Sequence, residues 1–386
     1  MKVYALVVVL SSFILLGGCA STEPDTGNYL HPVYSDAFPA ARSVNIESPA
    51  QILTLPEEAK RFLTRIKVTA EQQQTTPLEE LINSLFAEQQ LGLSYFSDAN
   101  STVADTFKNR QANCLSLTLM TYALAKGLGL DASLQDVFIP EYWSRKQGFS
   151  LLNGHVNVLL TDKRDLFATP RLVDFDARMQ GQQFKSETMS VNRALSMFYN
   201  NKGANALVYG NFPVAFRYLS AALKQDEQFT AAWINLGVLY RFTAHYRYAE
   251  EAYQKVLQLD IRNLTARENL AILYRLTGRD SQANELAKEV HQLRVNNPYY
   301  HLIRGDEAFD EGDFTLAHNY YRRAYRLDRS NHLILFALGK TALATGETED
   351  AQTFLERAIK RAELLADRQR YAAKLAVLSH YSEEQL

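Results

Sequence analysis

The sequence predicts an α+β domain followed by an all-α solenoid, and three observations carry that expectation. From about residue 196 the chain repeats itself every 34 residues. Before that, a largely apolar helical run, Asn113 to Leu130, precedes short strand-like runs at Ala132 to Ile139, His155 to Leu160 and Arg171 to Phe175. Ahead of both stands an apolar leader that ends in a cysteine, Cys19. With 386 residues, 47% hydrophobic and 22% charged, the chain has the balance of an ordinary globular protein with room for more than one core. The 41 basic against 43 acidic residues leave a net charge of −2, and no stretch alternates basic with aromatic side chains. Nucleic-acid binding is set aside on both counts.

Residues 1–19, MKVYALVVVLSSFILLGGC, carry a lysine at position 2, an apolar run from Val3 to Leu16 broken only by Ser11 and Ser12, and small residues up to the cysteine. That order is a secretory signal, and its apolar core is short for a membrane span. Leu16-Gly17-Gly18-Cys19 resembles the bacterial lipobox, which implies that Cys19 is lipidated and becomes the mature N-terminus. Ala20, where an aspartate would imply retention at the inner membrane, implies the periplasmic face of an outer membrane. Of the two cysteines, Cys114 is then left in an oxidising compartment where structural cysteines pair. It is either buried and inert or kept for its chemistry. Residues 20–47, rich in Pro, Ser, Asp and Asn and without sustained period, predict a tether.

Residues 48–190 form the predicted α+β domain. Pro49 after Ser48 starts a helix that Leu55, Ala59, Phe62, Leu63 and Ile66 continue at helical spacing. Thr76-Pro77-Leu78-Glu79 has the capping-box spacing for a second, with Leu78, Leu81, Ile82, Leu85 and Phe86 on one face. The domain thus opens with two helices. The run from Asn113 is apolar on most sides and closed by Gly127 and Gly129, which predicts a buried helix packed on an antiparallel sheet. Loops holding Pro140, Gly148, Gly154 and Pro170 separate the strands, and Trp143 in the first of them either lines a cleft or packs at the loop base.

In the repeating part, Gly203, Gly237, Ala271, Gly305 and Gly339 form one column, and Ala215, Ala249, Ala283, Ala317 and Ala351 a second. Gly210, Ala244, Gly278, Gly312 and Gly346 mark the turn between two helices of each unit, and Leu219, Tyr253, Ala287, Tyr321 and Leu355 fill a fourth column. The units are 196–229, 230–263, 264–297, 298–331 and 332–365, with a capping helix over 366–386. Trp233-Ile234-Asn235-Leu236-Gly237-Val238-Leu239-Tyr240, followed by Ala249, Tyr253 and Val256, resembles the tetratricopeptide repeat. The resemblance implies a solenoid whose concave face holds a protein or peptide partner.

Cys114 falls at the predicted N-terminus of the buried helix, where free backbone N–H groups and the helix dipole favour a thiolate. An activated thiol needs a base, and the base an orienting partner. His155 begins one strand and Asp174 ends another, so an antiparallel sheet brings both beside that helix start, the papain-type order. Asp174 and Asp176 compete for the third role, because alternation along a strand puts both on one face; Asp174 is preferred. Neither metal-ligand spacing nor a Gly-rich phosphate loop appears, so no metal or cofactor is expected.

Phe107 to Thr118, FKNRQANCLSLT, together with Gly129-Leu130-Asp131-Ala132, His155-Val156-Asn157-Val158 and Val173-Asp174-Phe175-Asp176, resembles the bacterial transglutaminase-like superfamily, in particular members with C-terminal tetratricopeptide repeats. Ala112 stands where many relatives have glycine. The resemblance implies Cys114 as nucleophile, His155 as general base and Asp174 as its orienting residue, acting on protein or peptide amide bonds as a protease, amidase or transamidase. The alternative is a non-catalytic scaffold or adaptor lipoprotein of an envelope protein complex.

Overall fold

Ser48 and Thr76 each begin a helix by a reciprocal capping box, with Gln51 and Glu79 at the third helical position. In the computed structural model, which describes residues 33–383 apart from 88, 98, 163–168, 177–183 and 364, these starts give α1 (Pro49–Leu53) and α3 (Pro77–Phe86). Cys19 and the rest of the leader lie outside the described residues. The single helix expected from Pro49 through Ile66 is two: α1 stops at Leu53 and α2 runs Glu57–Gln73. Pro56 is the cause, since it lacks an N–H and drives the residue before it into extended backbone. Two short parallel strands, β1 (Ser94–Tyr95) and β2 (Gln111–Ala112), flank α4 (Val103–Asn109). Ala112, fully buried in β2, leads directly into α5 (Cys114–Gly127).

Helix α5 packs on a four-stranded antiparallel sheet in the order β5-β4-β3-β6. Its strands are β3 (Asp131–Lys146), β4 (Phe149–Thr161), β5 (Arg171–Val173) and β6 (Ser186–Thr188). The hairpin β3–β4 is longer than the sequence suggests, and the loop expected around Pro140 and Trp143 is strand. Pairing slips between Val137 and Tyr142, and that irregularity accommodates a proline with no N–H for the ladder. Beyond it, Tyr142 to Lys146 pair again with Asn153 to Phe149, and Gln147 and Gly148, both at positive φ, close the turn. This distal arm leaves the sheet and reaches the helical half.

Ten helices then alternate in pairs: α6 (Val191–Val208) with α7 (Phe212–Gln225), α8 (Thr230–Phe242) with α9 (Tyr246–Leu259), α10 (Leu264–Leu276) with α11 (Asp280–Arg294), α12 (Pro298–Asp310) with α13 (Phe314–Leu327), and α14 (His332–Thr345) with α15 (Thr348–Arg361). A final helix, α16 (Leu365–Glu383), packs on α15 and buries Tyr371 against Phe336. The first pair begins ahead of residue 196 because Ser190 caps α6, its hydroxyl accepting from the Arg193 N–H at 3.1 Å. Within a pair the small residue of the first column lets the helices touch. A Cβ added at Gly305 would come within 2.4 Å of the Tyr321 ring, and one at Gly237 equally close to Tyr253. Among the described residues no helix is long and apolar enough to cross a membrane.

The segment 20–47, expected as a tether, is a packed strap over its described part. Two 3-10 turns, Ser35–Ala37 and Pro39–Ser43, bring Phe38 under Phe216 and Tyr240. Tyr34 stacks on Tyr248 at 3.7 Å between ring centroids and hydrogen-bonds Glu251. Glu47 accepts from the Tyr218 hydroxyl at 2.8 Å, and its carbonyl from Tyr199 at 2.7 Å. These anchors are spread irregularly along the segment and carry no period, which is why the strap is invisible in the sequence.

Candidate active site

Asn113 caps α5, its side-chain oxygen accepting from the Ser116 N–H at 2.9 Å, and so makes Cys114 the first helical residue. Two more bonds pin that start. The Asn113 N–H donates to the Ala99 carbonyl at 2.8 Å, and Ser116 Oγ accepts from the Ser101 N–H at 2.9 Å. Helix geometry leaves the first backbone N–H groups without carbonyl partners inside the helix. The half-buried, unbridged Cys114 stands among them.

His155 lies on β4 opposite Val137 and is 2% exposed. Its Nε2 is 2.7 Å from Asp174 Oδ2, and the ring is also hydrogen-bonded to Cys114, which leaves Nδ1 for the sulfur. The three residues singled out in the sequence therefore meet in one chain of contacts. Burial alone pushes the imidazole pKa down, but the hydrogen bonds to Asp174 and Cys114 outweigh it and raise the value to about 9. For Asp174, burial pulls upward and is outweighed by the His155 bond and the Asp176 N–H, so the carboxyl is held below its ordinary value.

The expectation that Asp174 and Asp176 share a strand face does not hold, because β5 ends at Val173 and both lie beyond it. Asp174 receives the histidine, while the Asp176 N–H donates to Asp174 Oδ1 at 3.0 Å. Asn157, which carries no role in the sequence reading, donates to Asp174 Oδ2 at 3.2 Å. It stands two residues after His155 on the same strand, so strand alternation was the signal that would have found it.

Cys114 opens into a cavity of about 620 Å³ walled on one side by the distal arm of the hairpin and on the other by α6, α8, α10 and α12. Trp143 packs there against Tyr300 and Ile303. Arg294, 1% exposed, holds the arm: its guanidinium pairs with both oxygens of Glu141 at 2.7 and 2.8 Å, with Glu268 at 2.7 Å, and lies over the Trp143 ring. Arg145 reaches Asp310 at 2.8 Å, Ser150 donates to Glu307 at 3.0 Å, and Lys146 to Asn205 at 3.1 Å. Phe149 packs on Phe242. The arm thus spans the helical stack from the first pair to the fourth.

Two tetratricopeptide-repeat families match this chain, over residues 230–260 and 308–378. Over those residues the helix pairs are tetratricopeptide repeats, and the other pairs share their 34-residue period. Among solved structures, a thermophilic tetratricopeptide protein of Thermus thermophilus is 22% identical, with 47% of this chain and 99% of that one covered and a TM-score of 0.32. YrrB, described as a tetratricopeptide protein with an unusual peptide-binding site, is 18% identical, with 47% and 92% covered and a TM-score of 0.26. The Cut9–Hcn1 hetero-tetramer of APC/C is 19% identical over 48% of this chain at a TM-score of 0.30, and the match spans 37% of that chain's length. No curated protein matches the chain.

Proposed function

We propose that this is a polypeptide-binding tetratricopeptide protein whose N-terminal, transglutaminase-like domain acts on amide bonds through Cys114, His155 and Asp174, held by a lipid on Cys19 at the periplasmic face of an outer membrane. The observation that carries the chemistry is the contact chain from the Cys114 sulfur through His155 to Asp174, 2.7 Å at its second link, at a helix start facing a cavity. In this reading the sulfur attacks the carbonyl carbon, the oxyanion that forms is met by backbone N–H groups at the start of α5, and His155 gives its proton to the departing amine. The thioester left on Cys114 passes to water, releasing an acid, or to a second amine, forming a new amide. The anchor is supported by the leader and the Leu16-Gly17-Gly18-Cys19 ending.

A second reading, a scaffold without turnover, is favoured by the tetratricopeptide matches, which speak for binding. Alkylation separates the two. In the chain from residue 20 onward Cys114 is the only cysteine, so intact mass after brief, low-dose iodoacetamide reports its reactivity directly. The enzyme reading expects wild type to label at least about tenfold faster than His155→Ala and Asp174→Ala. Equal, slow labelling of all three leaves the scaffold.

A further inference from the structure

We propose that the hairpin arm roofs the concave face of the solenoid into a covered passage that delivers a single extended, unfolded polypeptide to Cys114 and excludes folded proteins. The proposal rests on the reading of Cys114 as a residue that works on polypeptide and names the substrate class. Three observations lead to it. First, the cavity containing Cys114 is continuous with the inner helices of the repeats, so groove and thiol are one space. Second, the arm is fastened at both ends of that space, to Asn205 and Phe242 near the start of the stack and to Arg294, Ile303, Glu307 and Asp310 further along. The space enclosed, about 620 Å³, is far smaller than a folded domain and matches a few residues of extended chain.

Third, the floor carries the chemistry of a backbone reader. Asn201, Asn235 and Asn269 recur at 34-residue spacing on α6, α8 and α10, each followed three residues later by an apolar partner, Ala204, Val238 and Ile272, and all six line the cavity. An amide side chain donates and accepts as a peptide group does, so it pairs with any extended backbone regardless of sequence. Asn235 donates to Asn200 Oδ1 and Asn269 to the Thr265 carbonyl, which fixes both side chains while a second amide hydrogen and a carbonyl oxygen remain on each. Neighbouring helices pack about 10 Å apart and an extended chain rises roughly 3.3 Å per residue, so successive asparagines address about every third residue. The pattern stops at the fourth repeat, where Ile303 and Asp306 replace it and Trp143 of the arm already occupies Ile303.

The test uses the full-length Cys114→Ser chain in detergent, so that binding is read without any chemistry. Fluorescein-labelled ribonuclease A is offered in its native form and in its reduced, carboxamidomethylated, unfolded form, and anisotropy gives both affinities. We expect the unfolded form to bind at least about tenfold more tightly than the native one, and Asn235→Leu to weaken it about 5- to 20-fold, as the loss of one or two hydrogen bonds would. Trp143→Ala/Arg294→Ala, with release of the arm verified by hydrogen exchange over 142–153, should bring the two forms within about threefold of each other. Equal binding of the two forms to the starting chain, no binding of the unfolded form at about 100 µM, or discrimination that survives release of the arm each overturns the proposal. An unreactive thiol alongside intact discrimination would sink the catalytic reading alone.

Discussion

His155 is almost wholly enclosed and yet keeps its proton to about pH 9. An imidazole so buried should be neutral; it is not, because one ring nitrogen meets a carboxylate fixed by Asn157 and the Asp176 N–H, and the other meets a thiol. A base whose folded pKa lies above its ordinary 6.5 stabilises the fold fully below about pH 6.5 and loses that contribution as pH rises through 9. The contribution is about 1–3 kcal/mol. Thermal unfolding of wild type and His155→Gln at about pH 6.5 and 9.5 checks the sign: wild type should be the more stable at the lower pH and the gap should shrink at the higher. A gap that widens with pH would mean the imidazole is neutral in the folded state.

At the level of secondary structure, the hairpin arm ties the α+β domain to the later repeats, beyond the core the two halves share. Arg294 is buried between Glu141 of the arm and Glu268 of α10, and removing it leaves two carboxylates facing each other without a cation. Both carboxylates stay 33% and 36% exposed, so water screens the charges left behind, and the change should cost about 1–3 kcal/mol through lost hydrogen bonds and packing on Trp143. Because the arm is attached to its own sheet only by the ladder beyond the bulge, that cost should appear as undocking rather than unfolding. Hydrogen exchange on Arg294→Ala is therefore expected to speed up over 142–153 while α13 to α15 keep their protection. Uniform loss of protection along the chain would mean that the latch supports the whole solenoid instead.

Across the full chain, the segment ahead of α1 binds the repeats that follow some two hundred residues later, through Phe38, Tyr34 and Glu47. The strap, the α+β domain and the first three repeats share one continuous apolar core, whereas the later repeats form smaller separate clusters. Phe38→Ala should cost about 3–4 kcal/mol, since it empties an aromatic site that nothing else fills. Limited trypsin digestion should then cut at Arg42 before any site in α7 to α9. Unchanged stability in this variant would reduce the strap to a surface decoration.

The solenoid and its period, the buried helix that starts at Cys114, and the candidate residues His155 and Asp174 were all legible in the amino-acid order alone. Each follows from local pattern: small residues every 34 positions, an asparagine cap ahead of an apolar run, a histidine and an aspartate in or just after strand-like runs. What those elements face became visible only in three dimensions. Glu141 and Arg294 lie 153 residues apart, Tyr34 and Glu251 217 apart, and nothing local in either segment announces its partner. The Asn157 amide and the Asp176 N–H that hold Asp174, the extension of β3 through Pro140 and the docking of the arm on the helical stack are of the same kind. They are set by where the chain returns to meet itself, because a hydrogen bond or buried ion pair between distant segments depends on the packing of everything between them, and periodicity records only the face a residue presents.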